Sequence, residues 1–271
     1  MALSRAQKNR LIYSGLLFCC IVGFWWFENF YTPDPYASAP GEGQSGFPEA
    51  FLPEYPGGEL VRHDHYLLSY SEAHEQAAWV AYTLLPAHLS YQDRERPYFE
   101  EDPNVTTKSA DWRNYRGSGY DRGHLCPAGD RRFSESAYNQ TFYTSNISPQ
   151  DPEFNAGIWN DLEMQVRRWC KRYGPLYVVT GGVLEDGLEG IGDEDVRVPR
   201  SFYKVVIRGS GRELRVIGFL LPNRPGQRPL SEYSVPLDRI ESLTGIDFLP
   251  GLSQEEQHRL ESGTEPGQWR F

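Results

Sequence analysis

Residues 155 to 173 form one long amphipathic stretch, set among apolar runs too short to be helices. Its stripe Ile158, Leu162, Val166 and Trp169 recurs at helical spacing, and Gly174-Pro175 stops it, so the pattern predicts a helix from about Asn155 to Tyr173. Tyr66–Tyr70, Ala77–Tyr82 and Leu176–Thr180 read as strands, the last closed by Gly181-Gly182. Phe202–Ile207 and Leu214–Leu220 flank Gly209-Ser210-Gly211, which predicts a hairpin. Many strands with few long helices make an α+β domain, with a mainly antiparallel central sheet and flanking helices. No internal repeat is visible.

A different kind of segment precedes this domain. Leu11 to Phe27 is a run of seventeen residues without a charge, preceded by Arg5, Lys8 and Arg10 and followed by Glu28. At ~1.5 Å per residue it would span about 26 Å as a helix, and Asn29-Phe30-Tyr31 extends it toward a bilayer's thickness. Trp25 and Trp26 suit a lipid–water interface, and the basic flank keeps residues 1–10 in the cytoplasm. The expected organisation is a transmembrane anchor at 11–30, a Pro/Gly-rich linker at 31–56, a domain at 57–254 and a tail at 255–271. In a bacterium, the anchor would sit in the inner membrane with the domain in the periplasm. A cleaved signal peptide and secretion are the main alternative, although no small-x-small site follows the run. Lipid modification of Cys19 or Cys20 is disfavoured by the preceding Leu-Leu-Phe. The mitochondrial intermembrane space is a further alternative, although the N-terminus has few of a transit peptide's arginines and serines.

The 271-residue chain has a net charge of −10, which argues mildly against a nucleic-acid binder. The charge is uneven: Asp111 to Pro175 holds nine basic and eight acidic residues, with arginine pairs at Arg131-Arg132 and Arg167-Arg168. Those pairs are candidates for a local cationic lining, although Arg167-Arg168 and Lys171-Arg172 also suit a solvated helix end. Cys126 and Cys170 are read as buried free thiols, with a disulfide as the alternative.

The stretch Tyr120-Asp121-Arg122-Gly123-His124 carries chemistry. Imidazole takes a proton near neutrality, and guanidinium presents a planar fork to phosphate oxygens. A base for water and a cation for phosphate thus lie three residues apart or less, as phosphodiester hydrolysis requires; a satisfied core histidine is the bland alternative. Asn155 and Glu163, eight apart on the predicted helix, would share one stripe about 80° wide. An amide oxygen with a carboxylate acting through water suits Mg²⁺. Otherwise Asn155 is a helix N-cap and Glu163 a solvated position.

With further stretches, these segments resemble the DNA/RNA non-specific endonucleases, a ββα-metal (His-Me finger) family with endonuclease G-like members. The resemblance runs from about Gly57 to Leu252. It includes Trp79–Tyr82, Phe99-x-x-Asp102-Pro103, Gly117–His124, Asn146–Gln150, Asn155–Glu163, Val198–Lys204, Pro222-Asn223 and Ile240–Phe248. It implies a ββα-metal motif in which His124 is the general base, Asn155 the direct metal ligand and Glu163 an organiser of metal-bound water. Arg122 would contact the phosphate, and Asn146 would fix the His124 loop and the metal shell. An upstream arginine is also implied; Arg96 is the nearest match, with Arg94 two residues away. The implied cofactor is Mg²⁺, with Mn²⁺ or another divalent ion as alternatives, and the implied partners are DNA and RNA. A homodimer is left open. The competing function is a catalytically inactive binding module of the same fold; a phosphodiesterase for non-nucleic substrates is a third reading.

Other groups have plainer readings. His63-Asp64-His65 is read as a solvated strand edge rather than a metal site, and the acidic segment Glu185–Asp195 as a surface loop lacking a calcium loop's alternation. Trp112 and Trp159 are read as packing residues.

Overall fold

A computed structural model describes Tyr13, residues 46–264 and residues 266–271. Contacts divide the chain into two compact units, Met1–Ala39 and Pro40–Phe271. The expected anchor at 11–30 lies outside the described residues except for Tyr13, and most of the expected linker lies outside them too. Among the described residues no helix is long and apolar enough to cross a membrane.

The strands in chain order are β1 (Glu59–Arg62), β2 (Leu67–Ser71), β3 (Gln76–Leu84), β4 (Asp121–His124), β5 (Ile147–Gln150), β6 (Leu176–Gly182), β7 (Gly190–Ile191), β8 (Val196–Arg197), β9 (Ser201–Arg208), β10 (Arg215–Pro222) and β11 (Ser234–Val235). Seven form one sheet in the order β1-β2-β3-β6-β9-β10-β11, with every neighbouring pair antiparallel. Strands β4 and β5 make a separate two-stranded ribbon.

Alternation along the strands builds two apolar faces. Leu176, Val178, Phe202, Val206, Phe219 and Leu221 point to the first, where Leu162, Val166, Trp169 and Cys170 of the helix Asn160–Tyr173 cover them. Val179, Tyr203, Val205 and Ile207 point to the other, covered by Phe51, Leu237, Ile240, Phe248 and Leu260. The result is a sheet with helices on both faces, the α+β architecture expected from the runs.

The helix differs from its expected form. Asp151 caps a short turn, Pro152–Phe154, by accepting from the backbone N–H of Glu153 and Phe154. A wide π-type turn follows at Asn155–Trp159, and Gly157 leaves helical dihedrals there (φ −98°, ψ −113°). The regular helix begins only at Asn160, and Gly174 at φ 88° ends it. Asn155 is therefore neither an N-cap nor two regular turns from Glu163, and the single-stripe geometry does not hold.

Packing also runs past both expected domain boundaries. Phe51 is in the core, and Glu54 bridges Asp247 by backbone hydrogen bonds, so the residues before 57 belong to the fold. At the other end, the Trp169 indole N–H donates to the Arg270 carbonyl (2.7 Å), and its ring packs on Trp269 and Phe271. Aromatic side chains in otherwise polar flanks supply this anchoring. The acidic segment folds into the β7–β8 hairpin.

Candidate active site

The ribbon β4–β5 and the turn and helix after it bring the chemistry-bearing stretches together. Register places Arg122 opposite Pro149, Gly123 opposite Ser148 and His124 opposite Ile147. Gly123 is required by close approach: a Cβ there would collide with the Gln150 side chain. Both polar atoms of the Gln150 carboxamide are buried without a hydrogen-bond partner among the described residues.

Arg122 and His124 share an aromatic platform with Arg96. The His124 ring meets Phe142 edge to face at 4.9 Å and lies 5.7 Å from Phe99. The Arg122 guanidinium sits 4.9 Å from the Phe99 ring, and that of Arg96 sits 5.5 Å from Phe99 and 5.6 Å from Phe142. These rings belong to a small cluster with Ile147 of β5 and Tyr138, which ties the platform to the ribbon. Neither guanidinium has an ion pair or hydrogen bond among the described residues, so both keep their donor forks for an anion. Arg94 is committed elsewhere, donating to the Arg132 carbonyl and Gln92 and pairing with Glu135. Of the two upstream arginines, only Arg96 is uncommitted.

The Nε2 atom of His124 is buried and has no hydrogen-bond partner among the described residues. Burial, and then the Arg96 charge, hold its pKa down at about 3. The ring is therefore neutral at physiological pH, and its basicity stays low while burial and the Arg96 charge act on it. A buried polar atom left unpaired in this way calls for a partner such as water or a bound ligand.

Asn155 comes to the ribbon through Asp121, whose Oδ2 accepts from the Asn155 side-chain N–H₂ at 3.0 Å. An ionised carboxylate only accepts, so the amide nitrogen must face it and Oδ1 points elsewhere, with no partner among the described residues. An oxygen donor presented in this way suits a hard divalent cation. Asn146 plays a different part. Its Oδ1 accepts from the Cys126 N–H (2.8 Å), and its N–H₂ donates to the carbonyls of Cys126 (3.0 Å) and Thr141 (2.9 Å). Fully buried, with both polar atoms of its side chain hydrogen-bonded, it clamps the segment after His124.

Glu163 lies in a neighbouring buried polar cluster. Arg167 donates to Asp130 at 2.6 Å and reaches Glu163 at 3.4 Å, while the Tyr82 hydroxyl donates to Asp130. Lys204, fully buried on β9, sets its ammonium 4.4 Å from the Trp159 ring centre with no hydrogen-bond partner among the described residues. Burial raises the Glu163 carboxyl to about 7 against the opposing pull of Lys204 and Arg167, with Asp130 adding to the rise. Burial lowers the Lys204 ammonium, opposed by Glu163 and Asp130.

Three of these groups were not singled out in the sequence. Asp121 sits beside the candidate base, but its partner is 34 residues away and leaves no local signal. Asp130 likewise bonds across long sequence distances. Lys204 does leave one, a cation at a position that the alternation of β9 assigns to the interior. Other readings change. Arg131 and Arg167 are not a cationic lining: Arg131 is fully buried and bonded to carbonyls, and Arg167 is paired with carboxylates. His63 is no solvated edge; it bonds Asp102 at 2.8 Å in the interior, where Ser145 also donates to Asp102. Trp159 packs in the core, and Trp112 lies beneath Arg113, Arg116 and Arg122. Cys126 and Cys170 are both buried free thiols.

Comparison with known proteins bears on the same residues. The family described as DNA/RNA non-specific endonuclease matches residues 48–255. "Nuclease EXOG, mitochondrial" of Xenopus laevis is 37% identical over 217 residues, which are 74% of this chain and 61% of that protein. This chain thus spans less than two thirds of the frog protein's length. "Endonuclease G, mitochondrial" of Homo sapiens is 35% identical over 213 residues, 73% of this chain and 72% of that one. A protein of Nostoc sp. named "Nuclease" is 36% identical over 224 residues, 76% of this chain and 79% of its own. Among solved structures, a chain of the EndoG/EndoGI complex, a crystal structure concerned with the mechanism of EndoG inhibition, has 33% identity and a TM-score of 0.69. The match covers 74% of this chain and 90% of that one.

Proposed function

The chain belongs to the DNA/RNA non-specific endonuclease family, and from that premise we propose that it hydrolyses the phosphodiester backbone of DNA and RNA without reading base sequence. The observation that carries this reading is the buried, unpartnered Nε2 of His124 on the same aromatic platform as two uncommitted guanidiniums.

Arg96 and Arg122 grip the phosphate from the platform. Binding an anion offsets the Arg96 charge that, after burial, holds His124 down, so the ring gains basicity when substrate arrives. Nε2 of His124 then takes a proton from water as its oxygen attacks phosphorus; the bond to the 3′-oxygen breaks, and that oxygen is protonated from solvent. Asn155 would hold Mg²⁺, or Mn²⁺ in its place, through Oδ1, with Glu163 acting through water. When bound, the ion supplies Lewis acidity that offsets charge on the leaving oxygen. Asn146 positions the base by clamping the segment that follows it. Contacts to the backbone rather than to base edges make cutting indifferent to sequence.

Degradation of plasmid and RNA in Mg²⁺ tests this. His124→Ala is expected to lose at least ~10²-fold of the rate while still binding nucleic acid. An unchanged rate rejects the mechanism, and binding without cleavage in the wild type selects the inactive-module reading.

For location, we infer from residues 11–30 a single-pass inner-membrane protein with its domain in the periplasm. The mitochondrial names of the frog and human relatives favour the alternative, the intermembrane space. Carbonate extraction of a membrane fraction, expected to leave the chain in the pellet, tests the anchor. A homodimer remains an expectation to be read by sedimentation.

A further inference from the structure

On the sheet face opposite the long helix, the two C-terminal helices bring carboxylates together. Asp238 and Glu241 stand three residues apart on the helix Leu237–Thr244 and so share one side of it, while Glu261 ends the helix Gln254–Glu261. One oxygen from each of the three lies within 4.8 Å of the others. Asp238 is exposed and Glu241 half-buried, but Glu261 is only 7% exposed. Its Oε1 is buried without a hydrogen-bond partner among the described residues. The charges that act on Glu261 are Glu241, Asp247 and Asp238, all acidic. Glu241 accepts one backbone N–H, from Phe248 at 3.0 Å, which leaves its other lone pairs open.

Burial, and then these three acidic neighbours, push the Glu261 carboxyl up to about 7, so a charged form with no donor beside it among the described residues calls for something positive to complete it. We propose that Asp238, Glu241 and Glu261 bind a calcium-type divalent cation that ties the two C-terminal helices together. Size favours calcium. Three oxygens no more than 4.8 Å apart have a common centre within about 2.8 Å of each, a few tenths of an ångström beyond calcium–oxygen distances of about 2.3–2.6 Å. Magnesium, at about 2.0–2.1 Å with near-octahedral geometry, would demand a larger collapse. The ion would seat Leu260, at the end of the last helix, against the apolar face it helps to cover.

This site shares no residue with the candidate active site, so the two can be tested apart. The full chain, stripped with EDTA and dialysed, is titrated with Ca²⁺ alone and its melting temperature followed. At a hundredfold excess over Kd the expected rise is about 5–10 °C. Asn155→Ala should keep that rise, whereas Glu261→Gln and Asp238→Asn should abolish it. Asp238 is exposed, so its variant folds even if the Glu261 variant does not. Stripped Glu261→Gln should melt no lower than stripped wild type, because the substitution removes repulsion rather than a contact. No rise in the wild type at about 1 mM Ca²⁺, where weak extracellular calcium modules are occupied, overturns the site. So does a rise that persists in both acidic-cluster variants.

Discussion

At the scale of single residues, the site rests on which polar atoms are committed and which are left open. Asp121 commits the nitrogen of Asn155 and thereby fixes where its oxygen points. Removing a group that orients a ligand typically weakens metal binding about 10–100-fold. Asp121→Ala is accordingly expected to raise the Mg²⁺ concentration for half-maximal rate by about that factor, with most of kcat restored at saturation. A variant with unaltered Mg²⁺ dependence would remove Asp121 from the site. Arg96 bears on His124 differently. Its positive charge disfavours the imidazolium and, after burial, helps hold the pKa at about 3. Loss of that charge must therefore raise the pKa toward the ordinary value of about 6.5. In a profile of kcat/KM against pH, Arg96→Gln should shift the acid limb to higher pH and lower the plateau. A limb that stays in place would mean that Arg96 does not act on the base. The sequence marked His124 and Arg122 as candidates because their chemistry is unusual in a short stretch, and Asn155 by its spacing from Glu163. It could not expose Asp121 as an orienting group, since a lone aspartate is ordinary until its partner is seen.

At the scale of elements, legibility followed periodicity. Strands β2, β3, β6, β9 and β10 alternate or run apolar, and each lies within two residues of its expected position at either end. The ribbon that carries the site has no such pattern. Asp-Arg-Gly-His and Ile-Ser-Pro-Gln are buried or half-buried throughout, so period two never appears and only the chemistry marks them. The π-type turn at Asn155–Trp159 was hidden for the opposite reason, because the apolar stripe beyond it continues in near-helical phase. Composition also misplaced the C-terminal boundary, where polar residues outnumber the few aromatics that anchor the segment. The Trp169 ring is fully buried against Trp269 and Phe271, and its N–H is satisfied by Arg270. Deleting residues 266–271 would expose that ring and should destabilise the domain by about 2–4 kcal/mol. Chemical denaturation measures the difference, and an unchanged midpoint would return these residues to the status of a tail.

At the scale of the whole molecule, a net charge of −10 has to be reconciled with the polyanionic substrate proposed above. The structure sharpens the difficulty, because Arg131 and Arg167, counted from the sequence as local cations, are turned inward onto carbonyls and carboxylates. Among the described residues, the uncommitted cations on the platform, to which we assign the phosphate, are Arg96 and Arg122. Each phosphate neutralised releases counterions, so log Kd against log salt should have a slope of about 0.9 per contact, or roughly 2 for this pair. A dedicated duplex binder with many contacts gives a far steeper dependence, and the acidic remainder of the chain gives no reason to expect one. His124→Ala allows the measurement with Mg²⁺ present and cleavage suppressed. A slope above about 5 would require a basic track well beyond the platform and would overturn the assignment of the phosphate grip to these two arginines. A shallow slope would fit turnover in the proposed mechanism: weak grip on each backbone segment would let cut ends leave, and chemistry would be confined to the moment when a phosphate lies between two guanidiniums and an unprotonated imidazole.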